Sequence, residues 1–267
     1  MLTARYTAFM SAKTHTFLQY RGALAMTATG GVISVAVQVF LWRAVAANAA
    51  GGRVGGFDGR QLTTYILVAQ LLALVHANRV DEEIAEDIYT GSIVASVIRP
   101  VSYPLMRLAV AIPVVTLNAV FVAGPVLVPF LLLVPLSVPT PARAVMFVAS
   151  VLLSVVIAFL VNLLVGYAGL LTTNNWGLRN VKDGVVSFLA GRLMPISVMP
   201  GTLATVCAAL PFQGMVYAPT RLLLGGYHGT GEAVGILGQQ AAWVLVLSLL
   251  SGLVWRRVRR RLEVFGG

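Results

Sequence analysis

The sequence has little charge for its length. Only 10% of its 267 residues are Asp, Glu, Lys or Arg, whereas soluble globular proteins carry about 25%. Hydrophobic residues make up 58% of the chain, and the mean hydropathy is +0.87. These few charged side chains cannot cover a soluble surface of this size, so we predict that lipid is the solvent for most of the chain. The predicted fold class is an all-α integral membrane protein, since helices satisfy their own backbone hydrogen bonds in lipid.

Cysteine and histidine are also scarce. The single cysteine, Cys207, excludes an intramolecular disulfide and a cysteine-based metal cluster. The three histidines fall in three separate regions, so no metal site is predicted. The sequence has no Gly-x-x-x-x-Gly-Lys-Ser/Thr run, so the chain is not expected to hydrolyse ATP. The glycine-rich stretch GGRVGGFDGRQ is predicted to be a flexible external loop.

Acidic residues are few, nine against 19 lysines and arginines, which gives a formal net charge of +10. In a soluble protein this excess would suggest nucleic-acid binding. Here the basic residues flank apolar runs, which is the pattern that orients a protein in a membrane. We therefore predict a lipid bilayer, and no nucleic acid, as the environment of this chain.

The apolar runs predict six membrane-spanning helices, since a span needs about 20 residues. Three prolines interrupt the third span. A polar turn, TTNNWGLRNVKD (172–183), is predicted before the fifth span, which is broken early by Pro195 and Pro200. The predicted spans are Gly22–Ala47, Leu62–Asn78, Leu108–Val134, Ala144–Leu171, a fifth that starts near Gly184, and Ala233–Trp255.

Two further segments surround these spans. In residues 1–21, apolar residues recur every three to four positions with cations between them, which favours an amphipathic helix in the headgroup region. An ordinary cytoplasmic extension is the alternative. Residues 201–230 are apolar but divided by Pro211 and Pro219, so we predict short re-entrant helices that dip into the outer leaflet. Residues 1–267 thus form a single transmembrane domain.

The distribution of basic residues predicts the topology. With six spans and both termini in the cytoplasm, most lysines and arginines lie on the inner side, including the C-terminal RRVRRR. This bias agrees with the positive-inside tendency of membrane proteins. It places the segment Val80–Pro104 in the cytoplasm.

The segment Val80–Pro104 carries five of the nine acidic residues. They fall in the first turns of a predicted helix, where the helix dipole favours anions. Gly91 is typical of a helix stop, and a second short helix, IVASVIR, would end before Pro100. The residues themselves leave two interpretations open: a surface that docks a soluble partner, or a solvated loop that balances nearby arginines. The five acids are Asp81, Glu82, Glu83, Glu86 and Asp87.

Three stretches resemble ABC-2-type exporter permeases. DIYTGSIVASVIRPVSYP resembles the family's acidic helix, glycine and Arg-Pro pair before the third span. GRLMPISVMPGTLATVCAALPF and MVYAPTRLLLG are similar to its region between the fifth and sixth spans. The early FLWRAVA and the final WRRVRRRLEVFGG also fit, so the resemblance covers nearly the whole chain.

The resemblance implies a type V ABC exporter fold in a bacterial cell membrane, as a multi-pass permease that is not itself an enzyme. Two ATP-binding-cassette ATPase subunits would bind ATP and Mg, leaving no cofactor in this chain. A second permease, a sister subunit or an identical copy, would complete the complex. Residues 80–104 would couple the permease to the ATPase through Glu83, Glu86, Asp87, Ile88, Gly91, Arg99 and Pro100.

Four residues are candidates for the translocation path. Arg192 lies about eight residues into the predicted fifth span, and an intramembrane arginine often faces a cavity. It departs from the apolar or aromatic residue usual there in the family. It could contact an anionic cargo or lipid, pair with carbonyls that Pro195 frees, or extend toward the surface. Asn162, Pro195 and Pro200 complete this set.

Two other functions remain open at this point. A secondary transporter tends to have ionisable residues at mid-membrane and inverted repeats, but here only Arg192 qualifies and no repeat is visible. The second open function is a membrane assembly or immunity subunit without transport activity. A neighbouring reading frame that encodes an ATPase would favour the permease.

Overall fold

The computed structural model of the protein describes residues 2–49, 52–94, 101–169 and 175–265, and these residues are mostly helical. The helices run in chain order as α1 (Leu2–Gln19), α2 (Arg21–Ala47), α3 (Gly59–His76), α4 (Val80–Tyr89), α5 (Tyr103–Asn118), α6 (Gly124–Leu133), α7 (Pro141–Ala168), α8 (Asn175–Leu189), α9 (Gly201–Ala209), α10 (Tyr217–Leu224) and α11 (Gly229–Phe265).

Within the described residues, four helical stretches are long and apolar enough to cross a membrane. They match the predicted first, third, fourth and last spans, although Leu171, at the predicted end of the fourth, lies outside the described residues. Their bounds are Gly22–Ala47, Tyr103–Leu133, Pro141–Ala168 and Gly229–Arg260.

Helix α3 lies at the centre of the bundle and occupies the position of the predicted second span, Leu62–Asn78. Its Tyr65, Ile66 and Ala69 are completely buried. It has 18 residues, which corresponds to about 27 Å at 1.5 Å per residue. It packs mainly against α2, α5 and α10, and also against α7.

Helix α8 begins earlier than the sequence predicts. We predicted a polar turn over residues 172–183 and a span from Gly184, but α8 already starts at Asn175 and ends at Leu189. The turn is therefore wrong from residue 175 onward. The polar residues belong to one face of an amphipathic helix, where Arg179 and Lys182 form ion pairs with acids of α4.

The third span is one helical path despite its prolines. Helix α5 contains Pro113, and the π-helical turn Ala119–Ala123 joins α5 to α6 just before Pro125. The N–H of Gly124 donates to the carbonyl of Ala119, one residue further back than in an α-helix. This widened turn accommodates a proline, which lacks an N–H and clashes with the preceding turn.

The glycine-rich loop before α3 is an ordered hairpin where we predicted a flexible loop. Strands Arg53–Val54 (β1) and Phe57–Asp58 (β2) pair antiparallel. Asp58 then caps α3, since its Oδ1 accepts from Gln61 N at 2.8 Å and Gln61 Oε1 accepts from Asp58 N at 3.1 Å. This reciprocal capping box sets the start of the central helix.

The region 201–230 forms the predicted short helices. Pro200 precedes α9, Pro211 opens a single 3-10 turn, and Pro219 lies in the first turn of α10. Each proline stands where its missing N–H removes no helical hydrogen bond.

The N-terminal segment forms the helix predicted for residues 1–21. Helix α1 packs along α5, and its Tyr6 and Phe9 contact the main hydrophobic core. Large apolar side chains on the outer faces of α2 and α11 stay exposed, among them Val37, Phe40 and Leu249. Such faces are typical of helices that contact lipid.

Candidate functional site

Helix α4 lies directly against the backbone of α7. Its Ile84 and Ala85 are buried. A Cβ placed on Gly166 of α7 would stand 2.9 Å from Ile84 Cβ and 3.1 Å from Asp81 Cα. Only glycine therefore permits this close approach, and it fixes one face of α4 on the bundle.

Four of the five acids of α4 form ion pairs within the chain. Their partners lie on α1, α5 and α8, and on the residue that precedes α4. The pairs are Asp81 with Lys182, Glu82 with Arg79 and Arg179, Glu83 with Lys13 and Arg107, and Asp87 with Arg107. These contacts link α4 to three other helices in addition to α7.

Arg107 is the centre of the most buried of these groups. Only 8% of this residue is exposed. Its Nη1 donates to Glu83 Oε2 at 3.1 Å, its Nη2 donates to Asp87, and its Nε donates to Tyr103 Oη at 3.1 Å. The Tyr103 hydroxyl in turn donates to Asp87 Oδ2 at 2.7 Å, and its ring stacks on Trp255 of α11 at 4.9 Å. This cluster therefore joins α4, α5 and α11.

A second group surrounds Lys182 of α8. Its Nζ donates to Asp81 Oδ2 at 2.7 Å and to Asn162 Oδ1 at 2.9 Å. Asn162 Nδ2 donates to Asn78 Oδ1 at 3.0 Å. The predicted path residue Asn162 thus acts as a hydrogen-bonding link between α7, α8 and the start of α4.

Glu82 lies at the more exposed edge of α4. The guanidinium of Arg79 hydrogen-bonds to it and, together with that of Arg179, holds the pKa of Glu82 below its ordinary value. The same contact raises the pKa of Arg79. Glu82 is therefore ionised at neutral pH.

The end of α4 is the part that faces outward. Tyr89 is 88% exposed, and Glu86, which has no ion pair among the described residues, is exposed beside it. Helix α4 ends at Tyr89, and Gly91, two residues later, has a φ of 72°, the left-handed conformation of a helix stop. We call Glu86, Tyr89, Thr90 and Gly91 the α4 tip; among the described residues, none of these four forms an ion pair.

The predicted coupling residues thus divide into two groups. Glu86 and Gly91 belong to the α4 tip, whereas Glu83 and Asp87 contact Arg107 and Ile88 packs against the core. Arg99 and Pro100, with most of the predicted second short helix, lie outside the described residues. Arg107, Arg179 and Lys182 were not predicted as partners of these acids. The available signal was that all three cations lie beside predicted spans of a chain with one acid-rich segment.

The four residues predicted for the translocation path lie in different parts of the structure. Arg192 lies in the turns after α8 and lines an open cavity of about 710 Å³. Its Nε donates to Gln70 Oε1 at 3.1 Å. Pro195 and Pro200 precede a 3-10 turn and α9, and neither is among the described residues that line this cavity.

Comparison with known proteins identifies the family. The family model described as "ABC-2 family transporter protein" matches residues 32–266. A comparison with curated proteins finds no significant match. The match covers most of the chain, and the four apolar helices agree with a membrane transport protein. The chain therefore belongs to the ABC-2 family of transporter proteins.

Proposed function

We propose that this chain is the transmembrane permease subunit of an ATP-driven exporter and that the α4 tip docks a separate ATPase subunit. The observation that carries the proposal is the two-sided construction of α4. Its inner side is held to α1, α5, α7 and α8, whereas Tyr89 and Glu86 at its tip face outward. A partner that moves the tip would move several helices together.

The proposed mechanism is rigid-body coupling. ATP binding closes two ATPase subunits, the docked tips move with them, and the spanning helices change the side from which the path is open. The ion pairs of Glu83, Asp87 and Asp81 transmit this motion, because they join α4 to the spanning helices at short distances. In this proposal ATP and Mg bind to the partner, and the chain itself holds no cofactor.

The proposed membrane arrangement has six crossings. The four apolar helices are joined by α3 as the second crossing and by α8 with the turns after it as the fifth. The short helices α9 and α10 would then be re-entrant on the outer side, as in a type V exporter. Both termini and α4 would face the cytoplasm, the side where the ATPase is present, in a bacterial cell membrane.

The complex would contain two permeases, and a sister subunit is the expected second one, with an identical copy as the alternative. A secondary transporter and a membrane assembly or immunity subunit are the competing functions. Neither function explains why, among the described residues, the inner side of α4 is held by ion pairs while its tip is exposed. Both predict that no ATPase binds to it.

Co-purification tests the proposal. The full-length protein, isolated from its native membranes, should carry an ATPase subunit that has a phosphate-binding loop. The double variant Glu86→Arg and Tyr89→Ala should lose most of it. Val138→Ala is the matched control, because Val138 is 89% exposed in the connection between α6 and α7. Absence of an ATPase from the wild type, or its full retention by the double variant, would overturn the proposal.

A further inference from the structure

A cavity of about 710 Å³, open on one side, lies between α1, α2, α3, α5, α7 and α8. This volume falls in the range of small-molecule binding pockets, about 300–1,000 Å³. One part of its wall is apolar, including Val114, Val122, Val161 and Val186. The cavity therefore has room for a hydrocarbon chain within a single subunit.

The other part of the wall is cationic. Arg79, Arg179, Lys182 and Arg192 line the cavity, together with one acid, Asp183. Arg79 and Arg179 share Glu82, while Lys182 contacts Asp81 at 2.7 Å and Asp183 at 2.9 Å. Three acids thus balance the first three cations, and the cavity keeps the single positive charge of Arg192.

Among the described residues, Arg192 has one side-chain hydrogen-bond partner, and that partner is neutral. Its Nε donates to Gln70 Oε1, and Gln70 Nε2 donates to the carbonyl of Arg192 at 3.4 Å. Asp183 is near enough to attract the guanidinium, but its carboxylate contacts Lys182 and Arg179. Within the described ranges, Nη1 and Nη2 of Arg192 have no hydrogen-bond partner. These two groups form the planar fork that binds carboxylates and phosphates.

A half-buried guanidinium such as that of Arg192, which contacts no carboxylate among the described residues, is costly in free energy. An anion that reaches it from the cavity would remove most of that cost. We propose that the cavity binds an anionic amphiphile, with its phosphate or carboxylate on Nη1 and Nη2 of Arg192 and its hydrocarbon chain along the valine wall. Such a molecule comes either from the surrounding membrane, as an anionic lipid, or from the cell, as a cargo of the transporter.

Thermal unfolding of the purified full-length protein in dodecyl maltoside tests this binding. Dodecyl phosphate should raise the unfolding midpoint in a saturable way, whereas dodecyltrimethylammonium, with the same chain and the opposite charge, should not. Arg192→Gln should weaken the apparent affinity for dodecyl phosphate by about tenfold or more, as expected for the loss of a charge-assisted pair. Arg53→Gln, an exposed arginine of the β1–β2 hairpin, is the control and should bind like the wild type.

A second variant covers the case in which Arg192→Gln does not fold. Val122→Phe keeps Arg192 and fills the apolar wall, so it should also weaken binding of dodecyl phosphate. Equal shifts with the phosphate and the ammonium compound would overturn the proposal. Wild-type affinity in Arg192→Gln, or in Val122→Phe if the first variant is unfolded, would also overturn it.

Nanodiscs separate the two sources of the anion. If the occupant is a lipid, phosphatidylglycerol added to phosphatidylcholine discs should abolish the dodecyl phosphate response and should co-purify with the wild type but not with Arg192→Gln. If it is a cargo, the response should be the same in both discs. Either result supports the site. These assays contain no ATPase, so they stand or fall independently of the docking at the α4 tip.

Discussion

The side chain of Arg107 is almost fully buried and hydrogen-bonds to the carboxylates of Glu83 and Asp87 and to the phenol of Tyr103. In these ion pairs the exposed fraction of the side chain is 10% for Arg107, 24% for Glu83 and 22% for Asp87. A partly buried ion pair of this kind adds modest net stability, but removal of one partner leaves the other charges uncompensated. The cluster is therefore a point where a single substitution has a large effect.

Replacement of Arg107 with Ala should lower the free energy of unfolding by roughly 2–4 kcal/mol, because Asp87 loses its cation and Glu83 keeps only Lys13. Chemical unfolding in detergent measures this. Arg53→Ala removes an exposed arginine and should change stability little. An Arg107→Ala protein as stable as Arg53→Ala would show that the acids do not depend on Arg107.

The Glu82 contacts should make stability depend on acid pH. Because the folded pKa of Glu82 lies below its ordinary value, its contribution is fully present above the unfolded pKa and is lost as pH falls through the folded pKa. The wild type should therefore exceed Glu82→Gln in stability at neutral pH, and the difference should shrink on acidification below about pH 4.3, the ordinary value for a glutamate. Unfolding midpoints of both proteins across this pH range measure it, and a difference independent of pH would contradict the assignment.

At the scale of elements, α4 depends on a glycine of another helix. Gly166→Ala should push α4 away from α7 and destabilise the protein by about 1–3 kcal/mol, as overpacking does. Ile84→Ala should not rescue it, because the clash involves Ile84 Cβ and Asp81 Cα. Unfolding midpoints and proteolysis within α4 measure the change. Gly184→Ala in α8, where a Cβ meets nothing within 4 Å, should be neutral, and equal effects of the two would contradict this packing.

The sequence predicts the elements better than their contacts. The predicted span Gly22–Ala47 is helical because its apolar run is continuous, and the stop of α4 just before Gly91 follows from the left-handed backbone conformation that glycine permits. The partners of the acids could not be predicted, because they are distant in sequence. Glu83 pairs with Lys13, 70 positions away, and Asp81 pairs with Lys182, 101 positions away. The early start of α8 was missed for the same reason. Its polar residues resemble a turn until their partners on α4 are known.

At the scale of the whole molecule, the proposal requires the α4 tip and the α6–α7 connection to lie on opposite sides of the membrane. The single cysteine is buried, so Cys207→Ala provides a background for labelling. In intact cells, Val138→Cys should react with a membrane-impermeant maleimide, whereas Tyr89→Cys should react only after the membrane is opened. Labelling of both positions from outside would contradict the topology.

The most direct test of the account is a photo-crosslink from the α4 tip. A benzoylphenylalanine at position 89, in the native membrane, should crosslink to an ATPase subunit identified by its phosphate-binding loop, and Glu86→Arg should reduce the yield. The same crosslinker at position 138 should not reach that subunit. A crosslink at position 138, or the absence of an ATPase crosslink at position 89 in an intact and transport-active complex, would contradict the claim that α4 is the coupling element.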